Sequence, residues 1–194
     1  MYEKPDYWTK KAKKEGYRAR SVYKLEEIQQ KYEIVKSGAK VLDVGAAPGS
    51  WSQYVLKLLK GSGLLAAIDL SPVTIPNAPA NFRFIQGDIY EQTKIDALAL
   101  LGPFDVVLSD AAPATTGNRI VDTARSSGLV EHVLYLCGRL LVPGGNLVVK
   151  LFQGGDEQDF LSRMRGMFAS ARILKPKATR DSSFETYLIG TGRK

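Results

Sequence analysis

The chain has 194 residues, 44% hydrophobic and 24% charged, which fits one globular domain with a sizeable core and excludes wholesale disorder. Its longest apolar runs, such as Gly63–Ile68 and Asn146–Val149, are strand-sized and far short of the roughly 20 residues of a membrane-spanning helix; the single cysteine, Cys137, excludes an internal disulfide and a cysteine-built metal site. The net charge of +7 is uneven: residues 1–40 hold 11 Lys/Arg against 6 Asp/Glu, residues 41–162 hold 8 against 12, and residues 163–194 hold 8 against 2, so two basic ends flank an acidic middle, as expected of a protein that grips a polyanion such as nucleic acid.

Residues 1–19 are polar, with the run Lys10, Lys11, Lys13 and Lys14, and read as a loosely ordered basic arm ahead of a core over 20–194. They lack the apolar stretch of a secretory signal, so the cytoplasm is the expected compartment. Arg20–Tyr32 places Val22, Tyr23, Leu25, Ile28 and Tyr32 at helical spacing, with Ser21 as N-cap. Lys36–Ala39 is a turn, Lys40–Val44 a strand, and Ser50–Lys60 a helix stopped by Gly61 and Gly63. Leu64–Leu70 is a second strand, and the proline-rich segment 71–81 a loop. Phe82–Gln86 is a third strand, Gln92–Leu101 a helix, and Phe104–Ser109 a fourth strand. A polar loop over 114–120 leads to a helix over Asp122–Val142, ended by Pro143-Gly144-Gly145. Asn146–Phe152 is a fifth strand, Glu157–Phe168 a helix, Ala171–Leu174 a sixth strand and Glu185–Gly190 a seventh. Only ten residues join the last two strands, too few for a helical crossover, so they form an antiparallel hairpin. The pattern is α/β: a doubly wound, seven-stranded, mostly parallel sheet with one antiparallel strand and helices on both faces.

The first strand runs into Val41-Leu-Asp-Val-Gly-Ala-Ala-Pro-Gly-Ser-Trp51, a strand, a Gly-rich turn and a helix start, which is how such sheets hold a nucleotide-like cofactor. A P-loop requires GxxxxGK followed by Ser or Thr; here Gly45 and Gly49 lie four apart and no Lys follows. A nicotinamide fingerprint requires G-x-G-x-x-G, so that backbone approaches a pyrophosphate, and Ala46, Ala47 and Pro48 fit it poorly. S-adenosylmethionine has no pyrophosphate and asks for a short turn, a carboxylate for the ribose and a polar group for the adenine. Asp69, ending the second strand, suits the ribose; Asp88, past the third, suits the adenine; Asp43 braces the turn by accepting backbone N–H groups. One such Asp is more often a cap or turn former, but three at successive strand ends make the rim of a crevice.

Four further ionisable residues stand out: Lys24 on the N-terminal helix, Asp110 after the fourth strand, Lys150 inside the apolar Leu147–Phe152, and Glu185 opening the last strand. A Lys in a central strand is costly unless paired or reaching a cavity. By themselves Lys24 and Glu185 read as surface charge. The lone His132 reads as a half-exposed structural histidine and Cys137 as core.

With these segments in view, the chain resembles the FtsJ (RrmJ) family of S-adenosylmethionine-dependent RNA ribose 2′-O-methyltransferases. The matching stretches are RARSVYKL at 18–25, VLDVGAAPGSWSQYV at 41–55, QGDI at 86–89, SDAAP at 109–113, PGGNLVVKLFQG at 143–154 and SSFETYLIGTGRK at 182–194. The resemblance implies a Rossmann-like class I methyltransferase fold and a catalytic tetrad on Lys24, Asp110, Lys150 and Glu185. It puts cofactor contacts on Gly49, Trp51, Asp69, Asp88 and Asp110, with Gly45, Ala46, Pro48 and Ile89 completing the set. No metal is implied. The implied partner is RNA, held between the basic arm (Lys10 to Arg20) and the basic segment Arg163 to Arg180, with Tyr7, Trp8 and Tyr17 either stacking on bases or packing against the domain. A monomer acting on large-subunit ribosomal RNA, at a uridine, is the expected case; the rivals are a tRNA anticodon-loop methyltransferase, a non-catalytic RNA-binding protein on the same fold, and a nicotinamide-dependent oxidoreductase.

Overall fold

The computed structural model describes residues 6–194, and among these the chain forms seven strands and six helices. The strands are β1 (Lys40–Val44), β2 (Leu64–Asp69), β3 (Phe82–Gln86), β4 (Phe104–Ser109), β5 (Leu141–Phe152), β6 (Phe168–Leu174) and β7 (Glu185–Arg193). They make one sheet in the order β3-β2-β1-β4-β5-β7-β6. Only β7 runs against its neighbours, pairing antiparallel with both β5 and β6. The helices are α1 (Tyr7–Lys14), α2 (Val22–Tyr32), α3 (Ser50–Leu59), α4 (Gln92–Leu101), α5 (Arg119–Leu140) and α6 (Glu157–Met167).

Because side chains alternate across a strand, each central strand feeds two cores. Val41, Leu65, Val106, Leu108, Val148 and Tyr187 pack against α2 and α3 through Leu25, Ile28, Trp51 and Val55. Leu42, Val107, Val149 and Leu151 pack against α4, α5 and α6 through Leu98, Val130, Val133 and Met164. Each such side chain, removed from water, contributes about 1.5–3 kcal/mol. Lys150 shares the parity of Val148, so it projects to the α2 side, as do Tyr187 and Glu185 on the next strand. The sheet order reverses between β1 and β4, and the ends of these two strands open the crevice where doubly wound sheets bind ligands.

Four expectations change. The part of the basic arm that lies among the described residues is not loose: Tyr7–Lys14 is helical, and the Asp6 carboxylate caps it by accepting from Thr9 N–H at 2.8 Å. Residues 1–5 of the arm lie outside the described residues. Helix α5 begins three residues early, because the Asn118 side chain accepts from Ile120 and Val121 N–H. Strand β5 begins at Leu141, opposite Phe104, with a register shift before Val106 pairs with Asn146. At α2, Ser21 is the N-cap residue but its side chain makes no cap bond; its hydroxyl instead lies 2.8 Å from that of Ser50.

The basic ends meet only in part. Arg20 pairs with Asp6 and donates to the Ala178 carbonyl, and Lys177 N–H donates to Glu27 at 2.7 Å, which ties the segment after β6 to α1 and α2. Arg163, expected on the same surface, sits on α6 across the sheet and pairs with Glu131 of α5 at 2.5 Å. No described helix is long and apolar enough to cross a membrane.

Candidate active site

A cleft of about 630 Å³ lies at the carboxyl ends of β1, β2, β3 and β4, lined among others by Gly45, Ala47, Asp69, Asp88, Ile89 and Asp110. Gly45 makes it possible: its φ is +74°, and a Cβ there would stand 2.5 Å from Ala111. The turn that follows is held by Gly45 and Ala46 N–H, both donating to the Ile68 carbonyl at 2.9 and 3.2 Å. The side chain that braces it is Asp69, not Asp43. Asp69 accepts Ala47 N–H on one oxygen at 2.9 Å and Ser71 N–H on the other at 2.7 Å. Asp43 accepts the Ser52 hydroxyl at 2.7 Å and so ties β1 to α3. Complete burial pushes its carboxyl up to about 7, against the Ser52 bond, with the nearby Asp110 and Asp69 adding to the rise.

Of the residues expected around a cofactor, Gly45, Asp69, Asp88, Ile89 and Asp110 line this cleft, while Ala46, Pro48, Gly49 and Trp51 stand outside its lining. Trp51 is buried behind the turn, where its indole N–H donates to the Ser21 carbonyl at 2.9 Å and its ring lies 5.8 Å from that of Tyr187. The lining carries three carboxylates, Asp69, Asp88 and Asp110, and one guanidinium, Arg125. Such a lining suits a ligand with hydroxyls, an amine and a positive centre better than a pyrophosphate.

Beside the cleft, Lys24, Asp110, Lys150 and Glu185 come together at the carboxyl end of the sheet. The Lys150 ammonium donates to the Asp110 backbone carbonyl at 2.6 Å and stands 3.1 Å from the Asp110 carboxylate. Lys24 pairs directly with Glu185. Both lysines are at least nine-tenths buried. The two pairs are joined by Tyr187, a residue the sequence reading passed over. Its hydroxyl donates to Asp110 at 2.7 Å, and its ring centre lies 5.9 Å from the Lys24 ammonium. Burial, with the Asp110 and Glu185 charges, raises the Tyr187 hydroxyl well above its ordinary value, so it remains a donor. The sequence carries half of the signal, since Tyr187 lies two residues after Glu185 on the same strand face; the sheet register then sets it opposite Lys150.

Buried ion pairs carry a desolvation cost that folding alone does not ask for, and clusters of them beside a cleft mark chemistry. A family model described as FtsJ-like methyltransferase matches residues 17–193. The chain belongs to the FtsJ-like methyltransferase family. Ribosomal RNA large subunit methyltransferase E of Treponema denticola is 54% identical over 189 residues, covering 97% of this chain and 95% of that one. The protein of the same name from Borrelia garinii subsp. bavariensis is 45% identical, covering 98% and 97%. A crystal structure of a ribosomal RNA methyltransferase of Plasmodium falciparum superposes with a TM-score of 0.80 at 29% identity, covering 91% of this chain and 98% of that one.

Around this site, the aromatic residues of the N-terminal region divide. Trp8 and Tyr17 pack on Tyr23, at 5.1 and 6.3 Å between ring centres, while Tyr7 is exposed. Lys11 lies 4.3 Å from the Tyr23 ring centre. Asp122, another residue the sequence reading did not single out, orders the loop after β4 by accepting Thr116 N–H at 2.8 Å and Gly117 N–H at 3.2 Å; these bonds hold its carboxyl below the usual range. Cys137 is core, its thiol pushed up to about 12 by burial.

Proposed function

We propose that the chain transfers the methyl group of S-adenosyl-L-methionine to a ribose 2′-hydroxyl of large-subunit ribosomal RNA, at a uridine, acting as a cytoplasmic monomer on a ribosomal particle. The observation that carries the reading is the double membership of Asp110: it lines the cofactor cleft and holds Lys150. Methyl donor and catalytic group are thereby adjacent, and such juxtaposition supplies much of a transfer rate. The names of the relatives support ribosomal RNA as the substrate.

When bound, S-adenosyl-L-methionine supplies a methyl group on a positively charged sulfur, open to in-line displacement. Asp69, Asp88 and Asp110 would hold its polar groups. Asp110 holds the Lys150 ammonium beside the cleft, accepting from it at the backbone carbonyl and pairing with it through the carboxylate, so that a 2′-hydroxyl entering there would meet the remaining ammonium hydrogens. Lys150 steers the hydroxyl or, when neutral, takes its proton. Tyr187 fixes the Asp110 carboxylate, and the Lys24–Glu185 pair sets the field around Lys150. Tyr7 and the lysines of α1, with the segment after β6, offer the RNA-facing surface.

The test is labelled methyl transfer to ribosomal subunits, free ribosomal RNA and tRNA side by side, with the modified nucleotide mapped. Incorporation into the large subunit at a 2′-O position is expected; transfer to tRNA alone would redirect the substrate. Lys150→Ala should abolish transfer and leave binding of S-adenosylhomocysteine intact, and full activity in that variant would refute the assignment.

A further inference from the structure

His132 is the chain's one histidine, and it stands on α5 outside both the cleft lining and the lysine–carboxylate cluster. Its Nε2 is 2.9 Å from the Ile89 carbonyl oxygen. A carbonyl only accepts, so Nε2 carries the proton. The imidazole also lies against Tyr90, with ring centres 4.1 Å apart and planes 31° from parallel. Tyr135 is a second aromatic neighbour, at 5.9 Å and 35°, whose hydroxyl accepts from Arg139 at 2.9 Å. Ile89 and Tyr90 both line the cleft. Tyr90 is 54% exposed, so burial does little to fix its ring. Its local bonds, N–H to Asp88 at 3.0 Å and hydroxyl to the Gly128 carbonyl at 3.4 Å, leave the ring plane to be set by what it stacks on.

We propose that His132 is a positioning residue for the cofactor: through the Ile89 carbonyl and the Tyr90 ring it pre-orders the cleft wall that receives the nucleoside end of S-adenosylmethionine. A wall ordered before binding costs the ligand less on arrival. The hydrogen bond fixes the backbone of the loop after β3, and the stack fixes the side chain beside it. The inference rests on the cofactor reading above.

The two contributions separate by substitution. His132→Phe keeps a ring against Tyr90 and removes the donor; His132→Gln keeps a donor and removes the ring; His132→Ala removes both. Calorimetric titration with S-adenosylhomocysteine should show affinity weakened roughly tenfold in His132→Ala and about threefold in each of the others, the sizes expected of one modest hydrogen bond and one ring contact. The kcat at saturating S-adenosylmethionine and the KM for RNA should stay at wild-type values, a split that a general loss of structure would not give. Wild-type affinity in both His132→Phe and His132→Gln overturns the proposal, even if His132→Ala fails to fold. A fall in kcat with affinity unchanged overturns it as well. If the wild-type protein itself fails to bind S-adenosylhomocysteine, the cofactor reading falls and the proposal with it; wild-type binding with unaltered variants overturns the proposal alone.

Discussion

Asp43 is fully buried at the end of β1, with one oxygen bonded to Ser52 and the other without a hydrogen-bond partner among the described residues. Its carboxyl is raised from an ordinary 3.8 to about 7, chiefly by burial. In the unfolded chain it returns to the ordinary value, so folding takes up a proton between about pH 4 and pH 7. The sign follows: the contribution of this group to stability is complete below about pH 4 and is lost as pH rises through about 7. The span from 3.8 to about 7 corresponds to roughly 4 kcal/mol. Asp43→Asn keeps the shape and an acceptor for Ser52 but cannot titrate. Urea denaturation of both proteins at a series of pH values between about 4 and 8 gives the difference in unfolding free energy, and most other titrations cancel in that difference. It should shift by roughly 4 kcal/mol in favour of the Asn variant from the acid to the alkaline end. A difference that stays flat to within about 1 kcal/mol would refute the claim that Asp43 folds as a neutral acid.

Gly45→Ala forces a left-handed residue against Ala111 and should cost about 2–5 kcal/mol, read as a lowered Tm together with weaker binding of S-adenosylhomocysteine. Tyr187→Phe removes a donor to Asp110 without opening a cavity, and should lower kcat by about tenfold with little change in cofactor affinity; an unchanged kcat would remove Tyr187 from the mechanism. RNA affinity should fall by at least about tenfold between roughly 50 and 200 mM salt, with a shallower slope after Lys10→Ala and Lys13→Ala, as filter binding would report.

Most of the fold was legible because its signals are local. Strands β1, β3 and β4 and helix α4 fall on the expected residues, each an apolar run or helical pattern closed by Gly, Pro or Asp. The antiparallel final strand followed from the shortness of segment 175–184, a covalent limit that needs no tertiary information. Helix α1 was missed because its lysine run outweighs a short apolar spacing, Trp8 and Ala12, whose value appears only once Tyr23 lies beneath it. Of the three acids expected to rim the crevice, Asp69 and Asp88 line it, while Asp43 is buried against Ser52, and the turn-bracing bonds belong to Asp69 and not to Asp43. Their sequence environments are alike: each sits at or near the end of an apolar strand.

What the sequence determined by itself was which chemical groups stand at which strand ends, since β periodicity and turn residues fix that within a few positions. It also determined the family, through segments spread along the whole chain. The tertiary structure decided which atoms meet. Asp110 reaches both the cleft and Lys150, Tyr187 links the two ion pairs, and Arg163 lies across the sheet from Arg20 and Lys177. Hydrogen bonds and ion pairs depend on separations held to within a few tenths of an ångström. Those separations are set by strand register and by how each helix rests on the sheet, and no local pattern in the chain encodes either.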